Sequence, residues 1–268
     1  MSDVEKIVRD FYDNFGWQKF DNSSGEDNLF RRFSRQYYDY HDLVNQRTVN
    51  CFSGITGKLL IAGGGDLPET HTKIAQQFSS VCCLDISQKS LDISEQKLGD
   101  KGEYVLGSIL DIPKPPEHFD AIYCAHVIYH IDRELQSKAI RELIRVIRRG
   151  GKAVVIYTNP NSIAGSMVRM QSRLPFVGRL QNRKSATEIN APPLYFHAHP
   201  LEWWNQFRNV CEVEFIPWDV MSADQERRLL INGVRAWCVY RFCAWYEKHY
   251  PKNAVKYWSY PVVVLNKN

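Results

Sequence analysis

Residues 58–85 read KLLIAGGGDLPETHTKIAQQFSSVCCLD. Leu59, Leu60 and Ile61 form a short continuous apolar run, the pattern of a strand buried on both faces. Gly63, Gly64 and Gly65 follow. Without a Cβ they let the chain turn sharply and lie close to a ligand. Asp66 and Glu69 have the spacing of a capping box, which predicts a helix starting there with Pro68 in its first turn. Ile74, Ala75 and Phe78 give that helix an apolar face. Residues 81–84 read as the next strand, and Asp85 closes it. A βαβ unit brings the glycine turn and the acid to one sheet edge, where the acid can accept both hydroxyls of a ribose. The stretch predicts a nucleotide or nucleoside cofactor. The alternative is an ordinary βαβ turn with a capping acid.

Upstream, residues 3–20 carry Val4, Ile7, Val8, Phe11, Tyr12 and Phe15 at helical spacing, and residues 21–28 are a loop by composition. Residues 29–50 form a second helical stretch, whose Tyr37, Tyr38, Tyr40 and His41 either face a ligand or pack the helix on the sheet. Downstream, Ser87 is expected to cap a helix. Residues 104–106, 121–124 and 152–157 read as strands, and residues 132–149 as a basic amphipathic helix that Gly150 and Gly151 end as a C-cap turn. Strands alternating with helices predict an α/β fold with a parallel sheet.

Residues 159–200 break that rhythm. Their Arg-flanked apolar patches either cover the site and attract an anionic or amphipathic substrate, or form a solvated basic surface. Residues 194–207 read as a turn and a helix capped near His199, and residues 213–217 as a strand. Residues 224–249 read as one long helix with Leu229, Leu230, Val234, Trp237, Val239, Phe242 and Trp245 on its apolar side. A strand at 260–265 completes the sheet. Trp203, Trp204, Trp218, Trp237 and Trp245 are expected in the core. The chain divides into an N-terminal helical cap (1–50), a cofactor-binding core (51–158), a lid or substrate insertion (159–210) and a C-terminal part of the core sheet with a long helix (211–268).

Hydrophobic content of 44% and charged content of 24% are those of a soluble globular protein, and 268 residues fit one large domain or one domain with an extra subdomain, with a core of ample size. The net charge of +4 does not by itself call for nucleic acid. The opening residues lack a signal peptide's apolar region, and no apolar run reaches the roughly 20 residues of a membrane span. The 7 cysteines include no C-x-x-C pair and are expected as reduced thiols in a cytoplasmic protein. His197, His199 and Glu202 lack the helix-borne zinc spacing, so no metal is expected.

The ordered pieces LLIAGGGDLPE, VCCLD, VLGSILDIP, FDAIYCAHVIYHI and LIRVIRRGGKAVVIY resemble the class I S-adenosylmethionine-dependent methyltransferases of small-molecule type. A dinucleotide fingerprint beginning at Gly63 would need glycine where Pro68 stands, and no Walker G-K-[ST] follows. The resemblance implies a seven-stranded, mostly parallel Rossmann-like sheet with helices on both faces, an N-terminal helical cap and a lid insertion. It implies S-adenosylmethionine as cofactor and S-adenosylhomocysteine as product. Gly63 and Gly65 would lie under the methionine part, and Asp85 would bind the ribose. Ser108 and the backbone of Ile109 would stand at the adenine, and Cys124 and Ala125 would pass the sulfonium. Three positions depart from the family pattern: Ile61 replaces an acid, Leu67 a glycine, and Ser108 an acid.

Methyl transfer needs an acceptor held in line and, where the acceptor carries a proton, a base. Related O-methyltransferases carry a histidine after the fourth strand. His130 is therefore the first candidate base and His126 the second, with a packing role beside Asp132 as the alternative. The expected partner is a small-molecule acceptor, with O-methylation preferred. Two other readings stay open: an RNA-modifying enzyme using basic residues 166–184, and a methyltransferase-like binding protein without catalysis. Oligomeric state is not legible.

Overall fold

The computed structural model describes residues 1–16, 34–173, 194–230 and 232–268. The expected loop at 21–28 and the basic residues 174–184 lie outside them. The seven strands are β1 (Lys58–Ala62), β2 (Ser80–Asp85), β3 (Gly102–Leu106), β4 (Phe119–Ala125), β5 (Ile147–Ile156), β6 (Glu212–Asp219) and β7 (Tyr260–Asn266). They form one sheet in the order β3-β2-β1-β4-β5-β7-β6. The first five run parallel, while β7 is antiparallel to both β5 and β6.

Alternation along the strands splits the core in two. Leu59 and Ile61 pack on one face of the sheet with Val262 and Val264; Leu60 and Ala62 pack on the other with Val263 and Leu265. Both faces are covered, which is why these strands read as continuous apolar runs.

Helix α1 (Asp3–Phe11) opens with a capping box made by Ser2 and Glu5, then widens into a π-helical turn at Tyr12–Gly16. Helix α2 (Ser34–Asn50) follows. Helix α3 is Glu69–Ala75, and its N-cap is Pro68, with no side-chain cap. The expected capping box at Asp66 therefore does not form. Leu67 takes φ 51°, turning the chain away before the helix starts, and Lys97 Nζ reaches the Leu67 carbonyl at 3.0 Å. Ser87 does cap helix α4 (Gln88–Leu98), accepting from the Ser90 amide.

Helix α5 (Gln136–Val146) stops earlier than its sequence suggests. Gly150 and Gly151 are not its C-cap but lie within β5, where the β4–β5 register shifts. A Cβ on Gly151 would come within 2.7 Å of the Asp120 carbonyl, so the glycine permits the strands to close up there.

Helix α6 is Ile163–Ser172. The stretch after His199 is a 3₁₀ helix, Leu201–Phe207, with Pro200 as N-cap. The single long helix expected at 224–249 is two: α7 (Ala223–Leu229) and α8 (Gly233–His249), with Asn232 capping the second. Helix α9 (Pro251–Tyr257) follows. Helix α8 also presents a different face from the one expected. Ala236, Tyr240 and Cys243 are buried, whereas Val234, Trp237, Phe242 and Trp245 are exposed. Trp204 and Trp218 are core residues as expected; Trp237 and Trp245 are not.

Candidate functional site

The site lies where β1, β2 and β4 end. Gly63 (φ 69°) turns the chain off β1, its amide bonded to the Leu84 carbonyl at 2.8 Å. A Cβ at Gly63 would come 2.3 Å from Val127 Cγ2, so the turn admits only glycine. Gly65 (φ 57°) points its amide at Asp85 Oδ2, 3.4 Å away. The Ser87 amide donates to Asp85 Oδ1 at 2.9 Å, and the Ser90 hydroxyl lies 2.8 Å from Oδ2. Burial raises the Asp85 carboxyl above its ordinary value, opposed by the bonds from Ser87, Ser90 and Gly65. An ionised carboxylate offers about four lone-pair sites, so acceptor capacity remains for a ligand's hydroxyls.

These residues line a cavity of about 770 Å³ that runs from the glycine turn past Ala125, His126 and His130 to Trp218 and Tyr260. Of the sequence-predicted residues, Gly63, Gly65, Asp85, Ile109, Ala125, His126 and His130 share this lining. Two do not. Cys124 packs inside the core, where burial pushes its thiol up. Ser108 sits behind the lining, its hydroxyl donating to Glu5 and accepting from the Leu110 amide at 3.0 Å.

The N-terminal helix supplies what local sequence reading missed. Glu5, only 5% exposed, and Val8, Phe11 and Tyr12 form one wall. Ser87 and Lys89 tie the turn after α1 to the cleft by bonding Asp13. No motif near residue 5 announces this role, because its partner is 103 positions away.

His126 has φ 62°, an uncommon conformation for a non-glycine residue. Its Nδ1 lies 2.7 Å from the Tyr129 hydroxyl, and burial, with His130 nearby, pushes its pKa down to about 4. His130 Nδ1 is 2.7 Å from the Tyr195 carbonyl. A carbonyl can only accept, so Nδ1 carries the proton and the neutral ring keeps its Nε2 lone pair. Burial lowers the His130 pKa, partly offset by that carbonyl. A third histidine, His71, was not anticipated. It is buried in the cavity wall with Nδ1 unpartnered, and burial pushes its pKa down to about 3. From α2, Tyr37 and His41 reach the lining and pair at 2.7 Å. Tyr38 points outward, and Tyr40 is buried against Glu247. Among the described residues lining the cavity there is no lysine or arginine.

Residues 62–155 match the model of a methyltransferase domain. Among curated proteins, the ubiquinone/menaquinone biosynthesis C-methyltransferase of Vibrio parahaemolyticus is 27% identical over 124 residues, covering 43% of this chain and 47% of that protein. The chain thus spans about half the length of the curated relatives it matches. Among solved structures, magnesium protoporphyrin IX methyltransferase from Synechocystis PCC 6803 with bound S-adenosylmethionine superposes with TM-score 0.57 at 14% identity, covering 100% of this chain and 99% of that one. Geranyl diphosphate C-methyltransferase from Streptomyces coelicolor A3(2), in complex with S-adenosylhomocysteine, superposes with TM-score 0.58 at 14% identity, covering 100% and 98%. At such identities these structures establish the fold.

Proposed function

We propose that this chain, whose residues 62–155 match a methyltransferase domain, transfers a methyl group from S-adenosylmethionine to the oxygen of a small molecule with His130 as base. The observation that carries the reading is the single cavity shared by the glycine turn, Asp85 and the neutral face of His130.

The residues fit the adenosyl cofactor. At Gly63 the bare backbone faces the cleft, since any side chain there would run into Val127. Asp85, held by Ser87 and Ser90, would accept the ribose hydroxyls. Glu5, with Ser108 behind it, stands in for the missing acid and would accept from the adenine amine. When bound, S-adenosylmethionine supplies a methyl group already made electrophilic by its sulfonium.

The chain's own residues then have two tasks. Tyr37, Trp218 and Tyr260 give the acceptor an aromatic wall that fixes a flat apolar body. His130 Nε2 takes the acceptor's proton as its oxygen becomes the nucleophile, and the Tyr195 carbonyl steadies the ring as it charges. A second reading, methylation at an activated carbon, is favoured by the curated C-methyltransferase relatives. It uses the same base. Calorimetry with S-adenosylhomocysteine tests the core of the proposal: the wild type binds, and Asp85→Ala folds but loses affinity. Unchanged affinity in that variant overturns the assignment.

A further inference from the structure

Helix α8 buries Ala236, Tyr240, Cys243 and Glu247 on one side, and all four lie within a single helical stripe. The opposite pole carries Val234, Cys238, Phe242 and Trp245, with Trp237 on its flank. Val234 is 74% exposed, Phe242 56% and Trp245 50%. The aromatic surface is continuous: Phe242 and Trp245 ring centres lie 6.0 Å apart, and Trp245 and Tyr250 6.1 Å. The same helix carries Arg235, Arg241 and Lys248, and α9 after it carries Lys252 and Lys256, all exposed. Among the described residues none of the five makes an ion pair. The one acid on these two helices, Glu247, is buried and paired with Arg47. Arg241 lies over the Trp237 ring, 5.0 Å from its centre.

An apolar pole of tryptophan and phenylalanine bordered by cations, on a helix packed firmly to its domain, is the pattern of a helix lying in the plane of a membrane interface. We infer that α8 and α9 dock this protein on an anionic lipid bilayer surface. The aromatic rings enter the headgroup boundary, and the cations meet lipid phosphates. Charge decides against a second copy of the chain as the occupant. A two-fold contact would set this cationic patch against itself with no exposed acid to answer it. The apolar centre decides against nucleic acid, whose contacts are dominated by phosphate and polar groups. No helix among the described residues is long and apolar enough to cross a membrane.

The test is flotation of the full chain with phosphatidylcholine vesicles, with and without phosphatidylglycerol. The protein is expected to float with the anionic vesicles and to be released by salt, with tryptophan fluorescence quenched by brominated lipid. Phe242→Ser with Trp245→Ser, and separately Arg241→Glu with Lys248→Glu, should each weaken partitioning by about tenfold or more while leaving circular dichroism unchanged. These positions are exposed, so the variants keep the core. Wild-type protein that stays with neither vesicle type at low salt overturns the inference. So does a dimer in light scattering that the aromatic variant dissociates while vesicle binding is absent. Binding is read without cofactor or acceptor, so the result stands or falls apart from the methyl-transfer proposal.

Discussion

The Ser108 hydroxyl, two residues past β3, donates a hydrogen bond to Glu5 on the first helix. A carboxylate thus stands at the end of β3, where the strand's own last residues are apolar, and the first turn of helix α1 becomes part of the cavity wall. Glu5→Ala is expected to weaken S-adenosylhomocysteine binding by about 10- to 100-fold, the loss of a hydrogen bond to a charged group. Titration calorimetry checks this, with Glu5→Gln as control because it keeps the α1 cap. Equal affinity in wild type and alanine variant would show that Glu5 only anchors the helix.

His130 predicts a rate effect separate from binding. His130→Gln should lower turnover by about 10²- to 10⁴-fold while S-adenosylhomocysteine affinity holds. The His130 pKa is lowered by burial, so the base stays neutral below the ordinary histidine value of 6.5, and the acid limb of the rate profile should lie below that pH. A limb above 6.5, or a turnover unaffected by the substitution, would remove the histidine from the chemistry.

The buried histidines also make stability fall with acid. His71 and His126 have folded values near 3 and 4 against 6.5 when unfolded, so between those limits the unfolded chain binds more protons. Their contribution is complete above pH 6.5 and is lost as pH falls towards 4, at up to about 1.4 kcal/mol per pH unit for each ring. Denaturant titrations across this window should show His71→Leu with a shallower slope than wild type. Parallel slopes would mean that His71 titrates normally.

Leu67 occupies a left-handed conformation that suits glycine, yet its side chain is fully buried. Leu67→Gly removes strain of about 1 kcal/mol but also about 3 kcal/mol or more of packing, so the variant should be about 2 kcal/mol less stable. A more stable variant, measured by urea unfolding, would show that strain outweighs burial here.

The part of the site that was legible is the part held in neighbouring residues. The β1 apolar run, Gly63, Gly65 and Asp85 fall within one βαβ unit, where local spacing fixes three-dimensional placement. Glu5 and His71 were not legible, because one needs a contact across the chain and the other looks like any histidine on a helix. Asp66 misled because a capping-box spacing carries no information about Leu67's dihedral angle. Helix α8 misled for a different reason. It is apolar on both sides, so periodicity alone cannot say which face meets the core; the tyrosine and glutamate buried with Tyr40 and Trp258 decide that.

The insertion of β7 between β5 and β6 sets an order of assembly. Among the described strands β6 bonds only to β7, so it lacks its described neighbour until β7 has also been made. Until then the free margins of β5 and β6 are open to pairing with other chains.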